Sequence, residues 1–162
     1  MNTTNKPSSK TVRNFRYDVY GVPLILSSAT LVEFGDDWII EVDDDAIMET
    51  LAEAVANKHG RLTGNEVRFL RQYLEHTMRE LAGYFDYTAP AVLKWERCGD
   101  MPTGMHWATE KDLRLMVLSH LDSDPKRFLE AYRSLTVPPP EQPGPQVYKI
   151  VRRNGRPVAR CA

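Results

Sequence analysis

The sequence predicts an α+β fold: a small N-terminal antiparallel sheet with one helix, then a run of short helices, then a basic C-terminal hairpin. Three observations carry this. Residues 13–42 hold alternating or β-branched apolar runs separated by turn residues. Thr63/Glu66 and Thr77/Glu80 repeat the Thr-x-x-Glu capping box fourteen residues apart. Asn154-Gly155, between Val147–Val151 and Val158–Cys161, is the strongest short-range hairpin signal.

Taken in order, residues 1–12 (MNTTNKPSSKTV) are polar and read as a flexible tail. Phe15, Tyr17 and Val19 alternate with polar residues, the period of a half-buried strand. Val22–Leu26 is a second run. Leu31, Val32 and Phe34 lead into the turn residues Gly35-Asp36-Asp37, and Trp38–Val42 follows as a further strand. Asp43, Asp44 and Asp45 offer an N-cap and acids at the positive end of a helix dipole. That helix runs to about Asn57 with Ile47, Leu51, Ala54 and Val55 on one face, and Gly60 closes it.

Thr63 then opens a helix with Val67, Leu70 and Leu74 on its apolar face. Thr77 opens a short one through Met78, Leu81 and Ala82. Thr88 caps a third, where Pro90 is tolerated because first-turn N–H groups have no helical partner. A fourth runs from Thr109 to about Leu121 with Leu113, Met116 and Val117 inward. A fifth starts at Asp124-Pro125 and carries Phe128, Leu129, Tyr132 and Leu135. Residues 137–146, rich in proline, read as a stiff extended linker. Lys149, Arg152, Arg153, Arg156 and Arg160 make the hairpin beyond it basic.

A chain of 162 residues can bury one sizeable core or two small ones. No apolar run is long enough to span a bilayer, and the N-terminus lacks the apolar stretch of a secretory signal, so no membrane partner and a cytoplasmic location are expected. Cys98 and Cys161 are too few and too scattered for a disulfide framework or a zinc site. The net charge of −1 conceals an uneven spread. Residues 1–60 carry five bases and ten acids (−5), residues 61–107 six of each, and residues 108–162 ten bases and six acids (+4). A near-neutral total therefore leaves a nucleic-acid partner open, because a phosphate backbone responds to the local field. The acidic front suits a basic protein partner. The four histidines (His59, His76, His106, His120) are dispersed, and no nucleophile motif or phosphate loop occurs, so no enzyme, no cofactor and no metal is expected.

Arg71, Thr77, Glu80-Leu81-Ala82, Val92 and Trp95-Glu96 give the middle segment its identity: it resembles the XRE (Cro/cI-like) class of helix-turn-helix. With Tyr20-Gly21-Val22-Pro23-Leu24 before it, and Arg61 to Arg71 (RLTGNEVRFLR) opening it, residues 15–121 resemble the MqsA/YgiT type of antitoxin. The family places a zinc-binding module before the helix-turn-helix, neutralises a toxin and represses its own operon. Its cysteine pairs are missing here: Val32-Glu33-Phe34-Gly35-Asp36 stands where a C-x-x-C would fall, so zinc is not carried over. The resemblance implies an autoregulating antitoxin of a type II toxin–antitoxin system, a homodimer bound to operator double-stranded DNA, with the toxin held by the N-terminal module. The expected organisation is a tail over 1–12, a degenerate zinc-finger-like sheet and helix over 13–60, a helix-turn-helix domain over 61–136, the linker over 137–146 and the hairpin over 147–162.

Within that resemblance, Arg71 and Glu96 match a structural ion pair, and Trp95, three residues from Val92, suits the core. The DNA-facing candidates are Thr77, Arg79, Thr88, Ala89, Ala91, Leu93, Lys94 and Arg97. Thr88 can donate a hydrogen bond, Ala89 and Ala91 can touch thymine methyls, and Arg79, Lys94 and Arg97 can meet phosphates, though each is equally explained as a solvated charge. Ala89-Pro90-Ala91 supplies no long bidentate donor, which leaves base reading impoverished. Either specificity comes from DNA shape, dimer spacing and the basic hairpin, or the segment serves a protein-interaction module without sequence-specific DNA binding.

Overall fold

The computed structural model describes residues 7–141, 144 and 146–162. The first six residues of the expected tail, and Gln142, Pro143 and Pro145 of the expected linker, lie outside the described residues. The element order is β1 (Ser9–Arg16), β2 (Leu24–Phe34), β3 (Asp37–Glu41), α1 (Asp44–Ala56), α2 (Gly64–Tyr73), α3 (Met78–Tyr84), α4 (Ala89–Glu96), α5 (Trp107–Leu121), α6 (Pro125–Ser134), β4 (Tyr148–Arg153) and β5 (Arg156–Cys161). The α+β class expected from the sequence is the one observed: among the described residues, a five-stranded sheet and six helices.

The sheet departs from the expected one in three respects. Ser9–Val12, read as tail, form the first half of β1, because their side chains alternate across an edge strand whose backbone pairs with Ala29–Val32. Tyr17 and Val19, read as strand, lie beyond its end. Two expected apolar runs are one long β2, and Asn14 in its partner strand takes a φ of 51°. Leu26 and Ala29 are both buried although three residues apart, so the in–out alternation shifts at Ser27-Ser28 while the one-to-one register with β1 is kept.

The hairpin at the C-terminus joins this sheet. Leu24–Leu26 pair with Tyr148–Ile150 in parallel, which makes the sheet mixed and not antiparallel throughout. The order is β1-β2-β4-β5, and β3 pairs the distal half of β2 on the β4 side. Asn154 and Gly155 carry the hairpin turn with φ of 52° and 77°, both positive as a type I′ turn requires. Tyr148 and Ile150 are buried with Leu24 and Leu26 in the same apolar cluster as Leu51, Val55, Leu70, Leu81 and Val92. One core thus draws on the N-terminal sheet and helix, the helical segment and the hairpin.

Helix boundaries follow the capping chemistry. Asp43 accepts from Ala46 N and starts α1, which ends at the C-cap Asn57, short of the expected closure at Gly60. Asp44, in its first turn, accepts from the hydroxyls of Tyr17 and Tyr20 at 2.8 Å each. Those donors hold its carboxyl below the usual range. Both Thr-x-x-Glu boxes are complete, with threonine hydroxyl and glutamate carboxylate each satisfying the other residue's N–H. α5 begins two residues before the expected start, capped by His106 Nδ1 on Ala108 N. α6 forms where expected, but no residue of it is fully buried.

What locks helices to sheet is a buried charge network around the connection between α1 and α2. Glu66 takes Lys58 Nζ at 2.5 Å, the Thr63 backbone N–H at 2.8 Å and the Tyr148 hydroxyl at 2.5 Å. Burial, and then the adjacent Glu66 charge, push the Tyr148 phenol far above its ordinary value. Glu110 takes Arg61, Arg114 and the Leu62 N–H. Arg114, with no exposure, also donates to the carbonyls of Ala56, Lys58 and Gly60. Among the described residues no buried side-chain N or O lacks a partner. Removing one member of such a network leaves buried charged and polar partners short of a bond, at a cost of about 3–5 kcal/mol. Arg114→Met should therefore lower the unfolding free energy by about that amount in urea titration. A loss under about 1 kcal/mol would mean that the network does not anchor the connection.

Candidate nucleic-acid interface

α2, α3 and α4 follow one another with turns of four residues each, and their mutual placement rests on three local devices. The first is close approach. A Cβ on Gly64 would lie 2.6 Å from both Trp95 O and Gly99 N, so only glycine lets the start of α2 meet the end of α4. The second is the ion pair. Arg71 holds both oxygens of the buried Glu96 at 2.6 and 3.1 Å and donates to His76 O at 3.0 Å, while Arg68 reaches the same carboxylate at 3.3 Å. A bidentate guanidinium fixes orientation as well as distance. The third is turn closure. His76 N donates to Arg71 O and Glu75 N to Gln72 O, a Schellman pattern with Glu75 at a φ of 57°. Asp86, at a φ of 56°, ends α3 in the same manner, with Tyr87 N on Ala82 O.

Leu81, Ala82, Val92 and Trp95 close the small core between these helices, and Tyr87 meets the Trp95 ring edge-on at 5.0 Å. With Val92, Trp95 and Glu96 inward, the 3.6-residue period turns Pro90, Leu93, Lys94 and Arg97 outward. Thr88 and Thr77 are exposed at the starts of α4 and α3, and Arg79 is exposed on α3. Ala89 and Ala91 are half-buried on the flanks of α4, and Leu93 is half-buried at the edge of its outward face. Arg79, Lys94 and Arg97 form no ion pair with any described residue, so their charges face solvent uncompensated. Exposed Glu75, Glu80 and Asp86 temper the field nearby.

One expectation fails in detail. Thr88 occupies the N-cap position of α4 but its hydroxyl makes no capping hydrogen bond, because Pro90 removes one of the first-turn donors a cap would serve. The hydroxyl is left free. Thr77 differs: its capping box holds Glu80 below the usual carboxylate range, chiefly through the Thr77 backbone N–H and then the Thr77 hydroxyl. Cys98 is a free, half-buried thiol beyond α4, against Lys94 O at 3.5 Å.

Two side chains that the sequence reading passed over flank the α3–α4 turn. Tyr84 is 63% exposed and lies 5.2 Å from the His76 ring, bordering a shallow cleft with Glu80 and Gly83. Tyr87 is 41% exposed. Their signal was a pair of aromatic residues at and just beyond the end of a short helix, next to a turn. Among the described residues no group of three or more His, Cys, Asp or Glu is placed to hold a metal ion. No helix among them is long and apolar enough to cross a membrane. No protein-family model, curated protein or solved structure matches the chain.

The two threonines should behave differently. Thr77→Ala removes a capping bond and should cost about 1 kcal/mol in urea titration. Thr88→Ala should fall within about 0.5 kcal/mol of the parent. Equal losses at the two sites would contradict the assignment of a free Thr88 hydroxyl.

Proposed function

We propose that α2–α4 are an XRE (Cro/cI-like) helix-turn-helix and that the chain is a non-enzymatic, DNA-binding transcriptional repressor acting as a homodimer on an operator. The observation that carries this reading is the Arg71–Glu96 pair, closed between two complete capping boxes, which leaves Thr88, Pro90, Leu93, Lys94 and Arg97 as the outward surface of α4. In a helix-turn-helix that surface enters the major groove while the preceding helix rests on the backbone. Thr88 donates to a base edge or phosphate, Ala89 and Ala91 contact thymine methyls, Leu93 adds apolar contact, and Lys94, Arg97 and Arg79 neutralise phosphates, with Thr77 at the backbone-facing start of α3. Without a bidentate donor, direct readout is shallow, and DNA shape and dimer spacing must supply part of the specificity.

The resemblance to MqsA/YgiT-type antitoxins extends the proposal. The chain is then an autoregulating antitoxin of a type II toxin–antitoxin system, working in the cytoplasm, with its N-terminal part holding the toxin. A second reading, a protein-interaction module without sequence-specific DNA binding, is favoured by one observation. Phe34 and Ile39 are more than half exposed and Trp38 is 41% exposed, around the acidic β2–β3 turn. Apolar side chains rimmed by acids suit a basic protein surface.

The test is a mobility shift with the full chain and duplex DNA from upstream of its own reading frame. Binding should appear at low salt. Lys94→Ala/Arg97→Ala should weaken it roughly tenfold or more and reduce the salt slope by about 2. Absence of a shift at low salt, while the folded chain still neutralises a toxic neighbouring gene product, would overturn the repressor reading and favour the second.

A further inference from the structure

The solvent side of the sheet bears cations drawn from both ends of the chain. Paired residues in a β-ladder share a face, and successive residues alternate. Leu24, Leu26, Tyr148 and Ile150 are buried against the core. Ile25, Lys149 and Arg160 therefore point the other way in one row, joined by Arg16 through its pairing with Ile25. Val151 and Val158 form the next row on that face, and Arg153 and Arg156 the row after. Arg16, Arg153, Arg156 and Arg160 are exposed, so this face is open. Arg152, paired with Pro157, lies on the opposite face.

Two cross-strand pairs on this face join like charges directly: Lys149 opposite Arg160, and Arg153 opposite Arg156. Such pairs destabilise a sheet by a fraction of a kcal/mol to about 1 kcal/mol each. Their compensation is slight. Arg16 pairs with Asp18, and Lys149 donates to the neutral amide oxygen of Asn14 at 2.8 Å. Arg153, Arg156 and Arg160 have no ion pair with any described residue.

We infer that this sheet face is a second polyanion-binding surface, taking the phosphate backbone of duplex nucleic acid without reading bases. The rows of Lys149/Arg160 and Arg153/Arg156 stand four residues apart, about 13 Å along the strands. Neighbouring strands add about 5 Å steps across them. This is a grid on the scale of several phosphates rather than a pocket for one small anion. Among the described residues of these rows, Ile25, Val151 and Val158 lie between the cations and no aromatic ring is placed for unpaired bases to stack on, which favours a duplex over a single strand. The inference stands apart from the reading of α4, since it uses none of that surface.

The test compares two charge-matched variants of the full chain on a short random-sequence duplex, by fluorescence anisotropy across a salt series. One carries Arg153→Gln, Arg156→Gln and Arg160→Gln. The other carries Lys126→Gln, Arg133→Gln and Arg152→Gln, exposed cations off this face. Thermal melts establish that both are folded, and the face variant should melt no lower than the parent, since repulsion is relieved. The face variant should lose about 2–3 units of salt slope, and the control much less. Equal losses in the two would reduce the effect to net charge and overturn the inference. So would an unchanged slope in the face variant, or loss of binding to vesicles containing anionic phospholipid with duplex binding intact. Lys94→Ala/Arg97→Ala, measured alongside, reports on α4 separately, so either surface can fail without the other.

Discussion

Two carboxylates with almost no solvent exposure, Glu66 and Glu110, determine how the parts of this protein meet. Each sits where chain segments far apart in sequence converge. Glu66 belongs to the first turn of α2, yet it joins Lys58 of the preceding connection to Tyr148 of β4. Glu110 belongs to α5, yet it joins Arg61 and Arg114, and through Arg114 the carbonyls at the end of α1. Charges so deeply buried are tolerable only when every donor and acceptor is matched, which ties the folded geometry to a single arrangement. Cation–π contacts of Arg61 and Arg114 with the Trp107 ring, at 5.7 and 5.9 Å, cover the outer side.

From that anchor the rest follows outward. The start of α2 is fixed in place, Gly64 brings it against the end of α4, and Arg71 clamps Glu96 of the same helix. Tyr148, pinned by Glu66, sets the register of β4 against β2, so the hairpin's upper half is buried while its tip and open face stay in solvent. The two surfaces argued to bind nucleic acid are thus presented by a framework that uses neither for its stability. Their character differs: α4 carries a few exposed cations along one helix, the sheet a larger set across paired strands. Phe34, Trp38 and Ile39, at the far end of β2–β3, belong to neither.

Local chemistry was legible in the sequence; long-range pairing was not. Asp43, both capping boxes and Asn154-Gly155 act over a few residues, and each forms as the residue types dictate. The Arg71–Glu96 pair spans more chain and was reached through the resemblance. The turns after α2 and α3 gave no glycine signal, since Glu75 and Asp86 take the left-handed conformation. Ser9–Val12 read as tail because a polar edge strand has no apolar stripe. Val22–Leu26 and Leu31–Phe34 read as separate runs because the polar Ser27-Ser28 break the apolar pattern between them, although the strand is continuous. Lys58, Glu110 and Arg114 escaped notice because charged side chains are rarely buried, and nothing in their local pattern marks them. Of the candidate interface, the α4 positions were reached through the resemblance; Thr88, Lys94 and Arg97 are exposed, whereas Ala89, Ala91 and Leu93 are half-buried. The exposed tyrosines and the grid of cations on the sheet required the three-dimensional pairing.

Native-state hydrogen exchange followed residue by residue tests most directly the claim that one buried network unites sheet and helices. Amides of Leu26 in β2, Leu70 in α2, Val117 in α5 and Ile150 in β4 should open with the same free energy and the same denaturant dependence, as one cooperative unit. If Ile150 and the hairpin instead exchange through a low-energy opening while α2 and α5 stay protected, the network does not hold the C-terminal strands to the helices, and the account fails at its centre.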